Sequence, residues 1–113
     1  MSAMKGRELR AGARLAVKER ASLSFGDAWF PCMVQDMSDA GFLILCGKEL
    51  AVGQVLEFKC ELFPDKTLTC KVEVRHVGSA GMGAKVVEID GRGTRLIELY
   101  LQEQYSLKLN SKL

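Results

Sequence analysis

Long apolar runs are missing from this sequence, and that is the first exclusion. Nothing in its 113 residues approaches the roughly 20 consecutive apolar residues that carry a helix across a bilayer. The opening MSAMKGRELR lacks the apolar centre of a secretory leader, so a cytoplasmic protein without membrane insertion is expected. Histidine occurs once, at His76, with no nucleophile beside it in sequence. General acid–base or nucleophilic chemistry needs such a partner, so an enzyme is not expected. Aromatic residues are only 7% and the net charge only +2. Those values are low for the stacking platforms and positive groove of a nucleic-acid binder, and neither DNA nor RNA is expected as a partner. The four cysteines, Cys32, Cys46, Cys60 and Cys70, include no C-x-x-C pair. A metal site clusters its ligands, so neither a metal nor a cofactor is expected.

What the sequence does contain is alternation. In LAVKERASLSF, Leu15, Val17, Ala21, Leu23 and Phe25 share one phase, and Lys18, Arg20, Ser22 and Ser24 the other. A period of two marks a half-buried strand. Glu19 interrupts the apolar phase, which predicts a late start or a bulge there. AWFPCMV follows a Gly26-Asp27 turn, and Pro31, having no N–H to give, predicts an edge or a bulge. GFLILC reads as a core strand. VLEFKCELF and TLTCKVEVRHV alternate again, separated by a turn at Pro64-Asp65, and place Cys60 and Cys70 on the apolar phase. Both are expected to be small buried hydrophobes. His76 follows the buried phase of Val72 and Val74 and is expected to be structural. GSAGMG lies between strands rather than opening a helix, so it reads as a turn and not as a dinucleotide fingerprint.

The period then changes. Leu96, Ile97, Tyr100, Leu101 and Tyr105 recur at three- and four-residue spacing, which predicts an amphipathic helix capped by Asp90 or Thr94 and fraying from Leu107 onward. The expected fold is mostly β: a six-stranded antiparallel barrel, closed because closure removes exposed edges, with a C-terminal α-helix over one opening or side.

Two stretches remain unexplained by this frame. KGRELRAGAR carries Lys5, Arg7, Arg10 and Arg14 against the single Glu8, which fits either a solvated basic tail or a local anion site. DMSDAG places Asp36, Ser38, Asp39 and Gly41 between two apolar runs, more polar groups than a plain turn needs. Each residue has an ordinary reading: Asp36 and Ser38 could close an Asx- or ST-turn, and Asp39 is expected to be solvated. Chemically they also complement one another. An arginine fork matches phosphate or a guanine edge, a carboxylate accepts from base N–H groups, and glycine admits a flat ligand closely.

R-x-x-x-R ahead of the first strand, followed about twenty residues later by D-x-S-x-x-G, resembles the PilZ domain family of bacterial cyclic di-GMP receptors. The resemblance runs from Arg10 to about Tyr105 and includes the KVEVRHV and GMGAKVVEI strands. It implies a flexible N-terminal segment over 1–9, a barrel with its helix over 10–107 and a tail over 108–113. By that resemblance Arg10 and Arg14 hold guanine and phosphate groups, Asp36 and Ser38 contact guanine and phosphate from the barrel surface, and Gly41 keeps the turn open. Many members carry a further basic residue where this chain has Leu9, with Arg7 nearby. The implied ligand is cyclic di-GMP, which would order the arginine segment and signal through a separate protein partner. Outputs suggested by the family include motility, biofilm polysaccharide and adhesion. Two other readings stay open: a PilZ-fold adaptor that binds no nucleotide, for example in pilus assembly, and a small barrel for single-stranded nucleic acid.

Overall fold

The computed structural model describes residues 14–110. Six strands, β1 (Leu15–Ser24), β2 (Trp29–Met37), β3 (Gly41–Cys46), β4 (Val55–Phe63), β5 (Lys66–Gly78) and β6 (Gly81–Glu88), precede one helix, α1 (Gly91–Asn110). The strands form a closed barrel in the order β1-β2-β3-β6-β5-β4, with every neighbouring pair antiparallel. The mostly β barrel with a C-terminal helix is therefore the fold that the alternation predicts.

Closure turns one phase of every strand inward. Leu23, Val34, Ile44, Leu56, Val72 and Val74 are buried there, around Phe42 and Phe58, whose rings stack with centroids 4.5 Å apart. Cys32, Cys60 and Cys70 are buried among them. Loss of hydration pushes each of these thiols from its ordinary value of 9.0 up to about 12, which disfavours their thiolate forms. Helix α1 lays Leu96, Ile97, Tyr100 and Leu101 on the barrel, against β1, β4 and β5. Asp90 is its cap: Gly93 N–H donates to Asp90 Oδ1 at 2.7 Å, which satisfies one of the helix's unpaired donors. The stretch expected to fray continues the helix to Asn110. No described helix is long and apolar enough to cross a membrane.

The two irregularities expected in β1 and β2 have local causes. The β1–β2 register shifts between Ala16 and Glu19. Glu19 stays on the inward side, where Tyr100 Oη–H of α1 donates to its carboxylate. Burial, then this bond, pushes the Tyr100 hydroxyl well above the usual phenol range. Pro31 pairs with Ser22 in an unbroken register and lies one residue outside the β2–β3 ladder, which ends at Cys32–Cys46. The short β3 makes a local edge where a missing N–H costs nothing.

His76 departs from the expectation. The β5–β6 register shifts between Val74 and His76, so the inward phase that ends at Val74 does not continue, and His76 is exposed. A single-residue slip sends the following side chains to the other face.

Candidate functional site

Arg14 and Asp36 are brought together at one end of the barrel. Ala16 of β1 pairs with Asp36 of β2, so Arg14, just ahead of β1, meets Asp36 across the strands. Arg14 Nε–H donates to Asp36 Oδ1 at 2.9 Å, with the arginine side chain 44% and the aspartate 25% exposed. By alternation from Val34, Asp36 would face inward. A shift in the β2–β3 register between Val34 and Asp36 brings it to the rim instead. Arg10 lies outside the described residues, so only the second arginine of the R-x-x-x-R pair is placed.

The side chain of Ser38 is fully buried and closes the β2–β3 turn. Ala40 and Gly41 N–H groups donate to Ser38 Oγ at 3.1 and 3.2 Å, and Ser38 N–H donates to Gly41 O at 2.9 Å. One hydroxyl thereby satisfies two backbone donors, of which the buried Gly41 N–H would otherwise be left unpaired. Asp39, at the tip, is exposed.

Gly41 is required by proximity. A Cβ there would stand 2.3 Å from Ala84 O and 3.1 Å from Lys85 Cα, because β6 passes directly against it. Val86 N–H donates to Ala40 O at 2.9 Å, tying the turn to the same strand. The motif glycine thus lets the D-x-S-x-x-G hairpin lie flat on β6.

Beside this junction is an open depression of about 470 Å³, a size that suits part of a nucleotide. Gly41, Gly83 and Ala84 line it, Arg14 and Asp36 flank it on one side, and Arg75, His76 and Lys85 on the other. Arg75 also approaches Glu73, with Nη2 and Oε1 3.5 Å apart. His76 pairs with Gly83 across β5 and β6, and its imidazole occupies the space a Cβ on Gly83 would fill, 2.2 Å from Nε2. The ring therefore lies on the glycine backbone, a common way of covering a glycine in a sheet. The alternation placed His76 in the core and read GSAGMG as turn alone. The register that joins His76 to Gly83 was the missing information. Among the described residues no group of three or more His, Cys, Asp or Glu side chains is arranged to hold a metal.

The family model described as the PilZ domain matches residues 8–103. No curated protein gives a significant match. Among solved structures, the chain is similar to the inhibitor of motility MotI (DgrA) of Bacillus subtilis, with a TM-score of 0.69 and 14% identity over 82% of this chain and 49% of that one. It is also similar to PlzA of Borreliella burgdorferi in complex with c-di-GMP, with a TM-score of 0.63 and 18% identity over 88% of this chain and 43% of that one. The PilZ domain of CeSA from a cellulose-synthesising bacterium gives a TM-score of 0.61 and 12% identity over 80% of this chain and 97% of that domain. The chain spans about half the length of the first two, and at these identities the likeness establishes the fold. The family match reaches from ahead of the arginine pair into the helix packed on the barrel, and the chain belongs to the PilZ domain family.

Proposed function

We propose that this chain is a cyclic di-GMP receptor module, not an enzyme, whose ligand binds over the depression between β2, β3, β5 and β6. The observation that carries the reading is the Arg14–Asp36 pair at the rim of a glycine-lined floor. Only Nε of Arg14 is committed to Asp36, so its two Nη groups face the ligand's phosphate or the guanine edge. The second carboxylate oxygen of Asp36 accepts from guanine N–H. The exposed His76 ring, held flat on Gly83, offers a platform on which a purine stacks, and Arg75 and Lys85 supply positive charge on the far side. Arg10 reaches the ligand from the preceding segment. Ser38 and Gly41 act by shaping the hairpin and not by touching the ligand. Relatives with similar folds support the ligand class: PlzA was solved with c-di-GMP.

In this reading the ligand draws the arginine segment onto the barrel, and a separate protein reads the surface so formed. MotI, an inhibitor of motility, makes motility a process to examine first.

Calorimetric titration with cyclic di-GMP, with GMP as control, tests the proposal. Micromolar or tighter binding is expected. Arg14→Ala should weaken it by roughly 1.5–3 kcal/mol for a lost charge-assisted bond, about ten- to a hundredfold. Absence of heat and of thermal stabilisation at millimolar ligand would refute the receptor reading and leave the adaptor.

A further inference from the structure

The cysteines are not used by the proposed site, and their placement in the barrel is unequal. Cys32 of β2 and Cys46 of β3 are direct cross-strand partners. Directly opposed residues of an antiparallel pair share a face, with Cα atoms about 4.5 or about 5.5 Å apart depending on the hydrogen-bonding class. Both separations fall within the roughly 4.4–6.8 Å that a disulfide accepts. Cys60 pairs with Leu68 and Cys70 with Phe58, so these two residues are diagonal neighbours with Cα atoms about 7–8 Å apart. Cys32 and Cys60 are separated by the whole of β1, about 9.5 Å at the usual strand spacing. Among the four thiols, the register lets only Cys32 and Cys46 bridge.

Access is also unequal. Cys46 is partly exposed and donates weakly to Lys48 O at 3.5 Å, whereas Cys32 is 8% exposed. Both line one open depression of about 460 Å³, which Arg20 borders.

We propose that Cys32 and Cys46 form a dithiol site that reacts with low-molecular-weight disulfides such as oxidised glutathione and ends as an intramolecular disulfide. The Cys46 thiolate attacks one sulfur of the small disulfide. A bond forms to Cys46 Sγ, the S–S bond of the reagent breaks, and one glutathione thiolate leaves and takes a proton. Cys32 then loses its proton to solvent and attacks Cys46 Sγ, expelling the second glutathione. The two protein thiols are oxidised by two electrons and the reagent is reduced to two thiols. Burial disfavours the Cys32 thiolate, which slows the second step. The fixed cross-strand geometry offsets this by making the step intramolecular. The same burial makes Cys32 a poor leaving group, so the bridge resists reduction once formed.

The bridge lies at the base of the β2–β3 hairpin whose tip carries Asp36, Ser38 and Gly41. It closes a covalent ring around that motif and restrains the tip.

Peptide mapping of the full chain after incubation with oxidised glutathione tests this. The expected result is a loss of two hydrogens and a bridge joining Cys32 to Cys46, abolished by Cys46→Ser and retained in Cys60→Ser and Cys70→Ser. Backbone amides from Ser38 to Gly41 should exchange more slowly in the bridged chain. A persistent glutathione adduct on Cys46 without a bridge, a bridge involving Cys60 or Cys70, or four unmodified thiols would overturn the proposal. Unchanged exchange at the hairpin tip would overturn its coupling to the site.

Discussion

Replacing Ser38 by alanine separates two roles that the D-x-S-x-x-G motif leaves entangled. The hydroxyl is fully buried and accepts from Ala40 and Gly41 N–H at 3.1 and 3.2 Å. Without it, both donors lose that partner. Ala40 is exposed and water replaces its bond at little cost. Gly41 is buried beneath β6, so its N–H bears the desolvation penalty of an unpaired group, about 1–3 kcal/mol. The ligand-free domain should lose that amount, lowering its thermal midpoint by roughly 5 °C for each kcal/mol. Differential scanning calorimetry without nucleotide is the assay. A residue that only contacts ligand would leave the ligand-free midpoint alone, within the roughly 0.5 kcal/mol typical of neutral surface changes. An unchanged midpoint together with lost cyclic di-GMP binding would show that Ser38 meets the ligand and that the turn assignment is wrong.

Other perturbations give separable outcomes. Gly41→Ala sets a Cβ 2.3 Å from Ala84 O and must push β3 from β6. A loss of about 1–3 kcal/mol is expected in urea denaturation, and a neutral result would contradict the close approach. His76→Ala removes the proposed platform while leaving the core intact. Cyclic di-GMP affinity should fall by about 1–3 kcal/mol, the usual worth of one stacked base, with little change in ligand-free stability. The buried thiols predict alkaline sensitivity. Cys32, Cys60 and Cys70 ionise near 9.0 when unfolded and near 12 when folded, so above pH 9 the unfolded chain binds fewer protons. Stability is then complete below about pH 9 and falls as pH rises towards 12, by up to roughly 1.4 kcal/mol per pH unit for each thiol. Thermal midpoints measured from pH 8 to 11 should decline less steeply in Cys70→Ala than in the parent.

Strand number, barrel closure and the helix were legible because they depend on periodicity and edge protection, which are properties of whole segments. Leu56, Phe58, Cys60 and Leu62 all turn inward as their spacing requires. The site was legible only in part, and the register shifts explain the boundary. Between Val34 and Asp36, and again between Val74 and His76, one irregular residue breaks the alternation. Each break takes a polar side chain off the inward phase and delivers it to the same depression. A period of two extrapolated along β2 or β5 fails at these points, and no local composition announces a bulge. Asp36 is singled out by a motif, whereas His76, which no motif names, falls on the inward phase when the alternation is extrapolated. Ser38 carries a role that the motif alone does not reveal: buried, with three backbone partners, it fastens the turn.

The same shifts account for how a small barrel can keep a continuous core and still present a polar site. Strict alternation would give β2 and β5 one apolar and one solvated face along their whole length, with Asp36 and His76 both pointing into the core. Burying an unpaired carboxylate there would cost several kcal/mol. A bulge confines the disturbance to one residue and re-aims the side chain. Opposite His76 across β5–β6 stands Gly83, whose missing Cβ leaves room for the imidazole, while Asp36 stands opposite Leu43 across β2–β3. Enlarging Gly83 to alanine should therefore displace the His76 ring and weaken nucleotide binding. The depression belongs to the pairing of bulged strands with glycine-bearing ones, so the site depends on the register between β3, β5 and β6 as much as on the charged residues at its rim.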